Sequence, residues 1–591
     1  MARWIINTND ANIPLMAQTL KISPILCEIL ANRGIRTKNN ALKYLNPLPG
    51  YMHDAASFAG ISRASEIVQD GIKNGKKFCI FGDYDVDGVS ATVILHKALS
   101  NLGAHCDYYI PHRENEGYGL NIEALAKIAD TVDIVITVDN GIAAMPEVAF
   151  AKERGLTMVI IDHHQPPYVE ENDQPREFLP DADAIIDPKQ AGCTYPFKEL
   201  CAAALAYKFA EHLYKLAGAD FKGREEAMIF AAIASICDIV DLVDENRIIA
   251  ASGLSLLNRQ KSANIGLNAL VKARNLEYNK IGVFDVGFIL GPCINASGRL
   301  ESAGIAADLF LCQDEAKAAI LAQKLVELNE ERKDLCAKFV EKTVASLDEA
   351  NLDRVLVLYE PEIHESIAGI VAGRVKDAMG RPTIVLAKSG NMAKGSARSI
   401  EQYDIFAEMQ KCKDLFHRFG GHKMAAGVTL DVENIDILRN RLNNACTLTD
   451  EDFVPILHID KELALNDVTF ELAESIETLA PFGKANKQPV FATFGIFTES
   501  AEIIGKSGET MRMSFRLESG RRIRAVAFRS VTKFGSQLAK FYSDEVCQDF
   551  LSGRLKNLTV KLDIAYHVGI NEYNGNSSLQ LRLLDFNIVA N

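Results

Sequence analysis

Between residues 60 and 190 five short apolar runs (78–81, 107–110, 134–138, 158–161 and 184–186) alternate with stretches of helical length. Such alternation closes into few folds, because strands joined by helical crossovers pair in parallel and must be covered on both faces. A doubly covered parallel sheet is therefore expected. Three of the runs are followed within two residues by an acid, Asp83, Asp139 and Asp162. Open parallel sheets bind ligands at the carboxyl ends of their strands, so these acids are expected to share one crevice.

The first acid belongs to a dense group. Phe78-Cys79-Ile80-Phe81-Gly82-Asp83-Tyr84-Asp85-Val86-Asp87-Gly88 delivers three carboxylates at alternate positions, and residues 89–99 read as a helix. Carboxylates this close repel one another unless a cation sits among them. A solvated acidic turn is the competing reading, and the two later acidic strand ends weigh against it. Asp238, beside Asp241 at the end of an apolar helix over 227–240, is a further candidate, since an unpaired carboxylate there is costly. A helix-end cap or a local ion pair is its alternative.

A chain of 591 residues exceeds a single core, and three or four domains are expected. The N-terminus lacks the apolar region of a signal peptide, and no apolar run approaches the roughly 20 residues that span a bilayer. The twelve cysteines include no C-x-x-C pair and read as reduced core residues of a cytoplasmic protein with no membrane partner. The formal charge of −14 argues against general affinity for nucleic acid. Locally the balance reverses: residues 374–424 hold ten Lys/Arg against five Asp/Glu, and 505–535 hold eight against two. An anionic substrate held at chosen places fits this distribution, with a solvated basic face as the plainer account.

Residues 1–50 read as a helical preface without chemistry. Residues 51–310 form the α/β lobe. The next stretch lacks internal Gly and Pro up to Pro361, with Leu321, Leu325, Leu328, Leu335 and Phe339 on one face, and predicts a long connecting helix over 311–349. Arg332 in a core slot and the short repeat disfavour a coiled-coil dimer, leaving a monomer as the expectation. A smaller α/β lobe over 350–452 holds two small-residue turns, 394–398 and 419–424, where Gly beside cations lets amides approach a phosphate, although taken alone they read as ordinary loops. Residues 453–591 alternate with period two: Met511, Met513, Phe515 and Leu517 oppose Arg512, Ser514 and Arg516, and similar patterns cover 558–566 and 579–583. A small barrel with a basic face is expected, suited to single-stranded nucleic acid or to packing against another lobe.

The candidate site is rich in carboxylate, has two adjacent imidazoles at His163 and His164, and has no thiol, which suits Mn²⁺ or Mg²⁺, two ions in all. Such a centre polarises a phosphate and lowers the pKa of a bound water, giving hydrolysis of a phosphoester or phosphoanhydride. Adjacent histidines in an extended turn do not readily face one atom, so one is expected on metal and the other on substrate or as proton donor.

In order, Asp-x-Asp, Val138-Asp139-Asn140-Gly141 and Asp162-His163-His164 resemble the DHH phosphoesterase superfamily. Further segments resemble its RecJ branch: 109–113, Glu116-Gly117-Tyr118-Gly119, 291–299, Arg381-Pro382-Thr383, 395–399, 420–427, Pro481-Phe482-Gly483 and Asn571-Glu572-Tyr573. The resemblance spans about residues 50–590. It implies DHH and DHHA1 lobes with a C-terminal OB-like barrel. It implies one metal on Asp85, Asp139 and Asp83, and another on Asp87, Asp139, His163 and Asp238. His164, oriented by Asp162, would meet the scissile phosphate, and Arg299 would bind phosphate. Arg374 and His422 would serve the substrate from the second lobe, while Arg113, Tyr118, Ser396 and Arg398 would hold the 5′ end. Phe81 stands where some superfamily members have a metal-binding His, and Cys293 where many have Arg. The implied activity is 5′-to-3′ degradation of single-stranded DNA to 5′-mononucleotides in repair and recombination, with a single-strand-binding protein and a helicase as candidate partners. A phosphodiesterase for short oligoribonucleotides or cyclic dinucleotides is the rival enzyme, and a nuclease-dead scaffold is the rival from another class.

Overall fold

The computed structural model describes residues 2–590 apart from 114, 172–173, 260–262, 349–350, 518, 556–557 and 574. The chain divides into two compact units. One comprises Pro47–Phe453 with Gly483–Asn486, the other Met1–Asn46, Val454–Phe482 and Lys487–Asn591.

In the larger unit the five apolar runs form a parallel sheet of β1 (Lys77–Phe81), β2 (His105–Tyr109), β3 (Ile134–Val138), β4 (Thr157–Ile161) and β5 (Ala184–Ile186). Their order is β2-β1-β3-β4-β5. Strand order therefore reverses between β1 and β3, which leaves a crevice beyond their carboxyl ends where neighbouring crossovers part to opposite faces. Every side chain of β3 is buried, as a strand covered on both faces requires. On one face α1 (Val86–Asn101), α2 (Ala202–Ala217) and α3 (Arg224–Cys237) build an Ala-rich core with Ile80, Ile136 and Val159. Between His164 and Asp183, Tyr168–Glu171 pairs antiparallel with Gln174–Glu177.

The long helix predicted over 311–349 is present from Glu315 to Ala345. Gly304–Leu311 is a separate helix, and Asp314 caps a new one, accepting from the Lys317 amide at 2.7 Å. From there α5 (Glu315–Ala345) runs 31 residues with Leu325, Leu328, Arg332 and Phe339 buried. The DHHA1-like lobe follows: β6 (Leu356–Tyr359), α6 (Ala368–Met379), β7 (Thr383–Ser389), β8 (Met392–Arg398), β9 (Phe416–His422) and β10 (Ala425–Asp431), in sheet order β9-β10-β8-β7-β6. Of the two small-residue turns predicted here, 394–398 is strand, whereas 419–424 is strand up to His422 and turns at Lys423 and Met424 into the next strand. At Gly395 a Cβ would lie 2.0 Å from the Val385 carbonyl oxygen, so the glycine serves a close approach of β8 to β7.

In the smaller unit β11 (Phe491–Ile504), β12 (Thr510–Arg516), β13 (Arg522–Ala527), β14 (Lys561–Tyr573) and β15 (Asn576–Ile588) form a five-stranded barrel, closed by pairing of β11 with β14. Met511, Met513 and Phe515 point inward and Arg512 and Arg516 outward, as the alternation requires. The side chain of Tyr573 lies outside the described residues. Residues 1–46 do not stand apart as a preface. Arg3–Ile6 pairs in parallel with Ile456–Ile459, and Leu26, Ile29 and Leu30 share the barrel's core with Met511 and Leu562. Among the described residues no single helix is long and apolar enough to cross a membrane. All twelve cysteines are free thiols.

Candidate metal centre

The crevice at the β1/β3 reversal gathers the acids. After β1, Asp85 caps α1, accepting from the amides of Asp87 at 2.8 Å and Gly88 at 3.2 Å. This tight turn needs Gly88, where a Cβ would fall 2.5 Å from the Asp83 carbonyl oxygen. After β3 the chain turns at Asp139, which holds φ at +64°. A non-glycine residue in the left-handed region costs of order 1–3 kcal/mol and persists where its surroundings impose it. Here Asn140 Nδ2 clamps the turn by donating to the carbonyls of Val138 and Phe81, at 2.9 and 3.3 Å.

Three groups of ligand atoms lie within 4.8 Å of one another: Asp83, Asp85 and Asp139; Asp139, His163 and His164; and Asp87, His163 and Asp238. Asp139 links the first two and His163 the last two. His163 Nε2 stands 3.1 Å from Asp139 Oδ1 and 3.7 Å from Asp87 Oδ2. The adjacent histidines thus converge more than an extended turn suggested, with ring centroids 4.6 Å apart. Asp162 explains the bend: Oδ1 accepts from the His163 and His164 amides and, at 2.7 Å, from His164 Nδ1, while Oδ2 accepts from the Ile142 amide.

Electrostatics separates these acids by role. Burial and then the neighbouring Asp85 push Asp83 well above the usual carboxylate range, and burial followed by Asp87 does the same to Asp139. Asp87 rises to about 6, first by burial and then by Asp85, although both its oxygens accept from backbone amides, Ala202 and Ala203, at the start of α2. Asp238 rises to about 7, from burial and then Asp87. It sits at the C-terminal cap of α3, where the helix dipole also disfavours an anion. Asp162 behaves oppositely: burial pushes it up, but the His164 hydrogen bond and charge prevail and hold it below its usual value. His164, opposed by burial, is lifted to about 9 by Asp162. Four acids raised by burial and mutual repulsion, with Asp83 Oδ1 buried and lacking a hydrogen-bond partner, form a donor set suited to hard divalent cations.

Phe81 is fully buried against Tyr109, and Cys293 is buried, accepting from Asn329 Nδ2 at 3.5 Å. Arg113 lies over the Tyr84 ring, 4.8 Å from its centroid. The Tyr118 hydroxyl donates to the Asp139 carbonyl at 2.9 Å and stands 3.3 Å from His164 Nε2. Arg299, half-buried on α4 (Gly291–Leu300), donates to the Ser366 carbonyl of the DHHA1-like lobe at 2.6 Å, bridging the lobes. Arg398 Nη1 donates to the Ser396 hydroxyl at 2.6 Å, and a Cβ at Gly369, near the start of α6, would stand 2.8 Å from Arg398 Nη2 and 3.1 Å from Ser396 Oγ. Arg374 and His422 are exposed. Among the described residues, these last four form no hydrogen bond or ion pair with the carboxylate group.

Sequence reasoning passed over three residues here. Asn295 Oδ1 accepts from the Val86 amide at 3.1 Å and ties α4 to the acidic turn. Tyr84 is the ring beneath Arg113. Asp187 follows β5 as a fourth strand-end acid, fully buried, and its pKa rises to about 7 chiefly through burial. The strand-end pattern that marked Asp83, Asp139 and Asp162 also marked Asp187. Asn295 carried no such signal, because its partner is distant in sequence.

Residues 77–236 match the DHH family, N-terminal domain; residues 352–447 match the DHHA1 domain; and residues 459–585 match the RecJ OB domain. The chain is 35% identical to the single-stranded-DNA-specific exonuclease RecJ of Bacillus subtilis, over 99% of this chain and 70% of that one. It is 32% identical to the enzyme of the same name from Haemophilus influenzae, over 89% and 90%. The crystal structure of RecJ in complex with Mn²⁺ from Thermus thermophilus aligns with a TM-score of 0.80 at 25% identity, covering 99% of this chain and 79% of that one. A crystal structure of exonuclease RecJ bound to manganese aligns at 0.57 and 30% identity, covering 66% and 96%. By motif, domain order and full-length similarity, the chain belongs to the RecJ family of single-stranded-DNA-specific exonucleases.

Proposed function

We propose that this protein hydrolyses single-stranded DNA from its 5′ end to 5′-mononucleotides, using Mn²⁺ or Mg²⁺. The observation that carries the reading is the continuous chain of ligand groups through Asp139 and His163 at the point where strand order reverses. Asp83, Asp85 and Asp139 would hold one ion, and Asp87, Asp139, His163 and Asp238 the other. Bound there, the ions supply Lewis acidity towards a phosphoryl oxygen and an activated water.

The chain's own groups do the rest. His164 Nδ1–H donates to Asp162, whose carboxylate keeps the imidazole charged near neutral pH, so Nε2–H is available as a donor to phosphate or to the departing 3′ oxygen. Arg299 lies within electrostatic reach of Asp85, and burial leaves its guanidinium, lowered to about 10, still cationic at neutral pH. Arg113, Tyr118, Ser396 and Arg398 are assigned to the 5′ end, and Arg374 and His422 to the strand. Single-strand specificity follows sterically if the two lobes of the larger unit admit one strand, since a duplex is about twice as wide.

The full chain is incubated with Mn²⁺ or Mg²⁺ and a long single strand labelled at either end, beside short oligoribonucleotides. Mononucleotides released from the 5′ end are expected, with chelation abolishing release. Cleavage confined to dinucleotides would overturn the reading in favour of a small-substrate phosphodiesterase.

A further inference from the structure

The catalytic lobe exposes an aromatic pair that none of the roles above uses. Phe284 and Phe288 are 65% and 68% exposed, and their rings stack with centroids 5.0 Å apart and planes at 22°. Phe288 lies on a π-helical turn, Val286–Leu290, and Phe284 lies in the short helix before it. Such turns cost hydrogen-bond geometry and recur at functional sites. Exposed side by side, the rings present flat apolar faces to water where an ordinary surface helix carries polar groups.

Their position ties them to the metal centre. The π-helical turn runs directly into α4, whose Asn295 holds the acidic turn and whose Arg299 bridges the lobes. At its other end, Cys237 Sγ bonds the Val286 carbonyl, and a Cβ on Gly291 would stand 2.4 Å from that sulfur. The next residue is Asp238. Ile239 follows at φ +58° and 64% exposed, an apolar β-branched residue in a strained conformation beside a candidate ligand. Phe288 and Arg299 are eleven residues apart, about 16 Å along a helix. A strand with a phosphate on Arg299 would cover a few nucleotides over that span.

We propose that Phe284 and Phe288 form a stacking platform for bases of the single strand on the Asp238 side of the metal centre. The proposal rests on the single-strand reading above and adds the residues that grip bases rather than phosphates. Stacking is sequence-tolerant because every base has a π face, and because it adds no phosphate contact it adds nothing to the salt dependence of binding. Two parallel rings suit a base laid on an outer face, whereas a protein partner would need a broader apolar surface.

The test uses the full chain, with binding read separately from turnover. Fluorescence anisotropy gives Kd for an intact oligodeoxynucleotide and for a set carrying abasic sites at successive positions, without divalent metal. Kinetics on the same strands with Mn²⁺ give kcat and KM. The F284A/F288A double variant should weaken binding of the intact strand about ten-fold and raise KM similarly with kcat unchanged. It should also lose the position-specific penalty that abasic sites impose on the wild type. The F284Y/F288Y variant, which keeps the π faces, should bind as wild type. A double alanine variant with wild-type Kd and abasic profile overturns the platform. If instead the wild type binds with base-dependent affinity that the alanines remove, yet releases no nucleotide, the platform stands and the catalytic reading falls.

Discussion

Asp139 combines three properties in one side chain: a left-handed backbone, near-complete burial and a place in two of the ligand groups. The backbone requirement separates two substitutions. Asn tolerates φ near +60° better than most residues, whereas Ala has no side-chain hydrogen bond to offset the strain. Asp139→Asn is therefore expected to abolish nucleotide release while keeping the thermal midpoint near wild type. Asp139→Ala should lose both activity and about 1 kcal/mol of stability, measured by denaturant titration. Near-normal turnover in either variant would mean that the ions sit elsewhere. At this scale much was legible beforehand, since a carboxylate after a buried strand is visible in sequence. The convergence of His163 and His164 was not, because it depends on the two oxygens of Asp162 collecting amides from separate segments.

Elements carry a different lesson, most clearly on the barrel. The alternation over 510–516 shows which side chains face outward, and the excess of arginine suggests a strongly basic face. The neighbouring strand largely cancels it. Glu499 on β11 pairs with Arg516 and Arg522, and Glu502 pairs with Arg512. The two arginines hold the Glu499 carboxyl down to about 2. Register between strands decides this pairing, and register cannot be read from either strand alone. Glu499→Gln should release two guanidinium groups. The plot of log affinity for single-stranded DNA against log salt should then steepen by up to about 1.4, at about 0.7 per phosphate contact. An unchanged slope would show that this face does not meet the strand. The strands 392–398 and 416–422 went unrecognised for a related reason: their glycines resemble turn signals, and only the neighbouring backbone at Val385 shows why Gly395 is there.

For the whole molecule the N-terminal residues matter most. Leu26, Ile29 and Leu30 look like an independent helical preface, yet they complete the core of the barrel some 450 residues away in sequence. Leu30→Ala should destabilise the smaller unit by about 2–5 kcal/mol, as a buried leucine does when no neighbour can fill its space. Unfolding followed by barrel tyrosine fluorescence should report the loss. A cost below about 0.5 kcal/mol, the range of an ordinary surface substitution, would show that the N-terminal helices are not part of that core.

The amino-acid sequence by itself determined the parallel α/β lobe, the acids at its strand ends, the period-two barrel and the family, because these depend on local periodicity and on short motifs. Tertiary structure alone decided which acids share a cavity, that Arg299 spans two lobes and that Glu499 offsets the barrel's arginines. It also decided that residues 1–46 belong with the C-terminal barrel, and that two phenylalanines stand stacked and exposed around a turn that Cys237 contacts. Each of these sets the free energy of a group through neighbours far away in the chain, and burial and Coulomb interactions depend on distance in space.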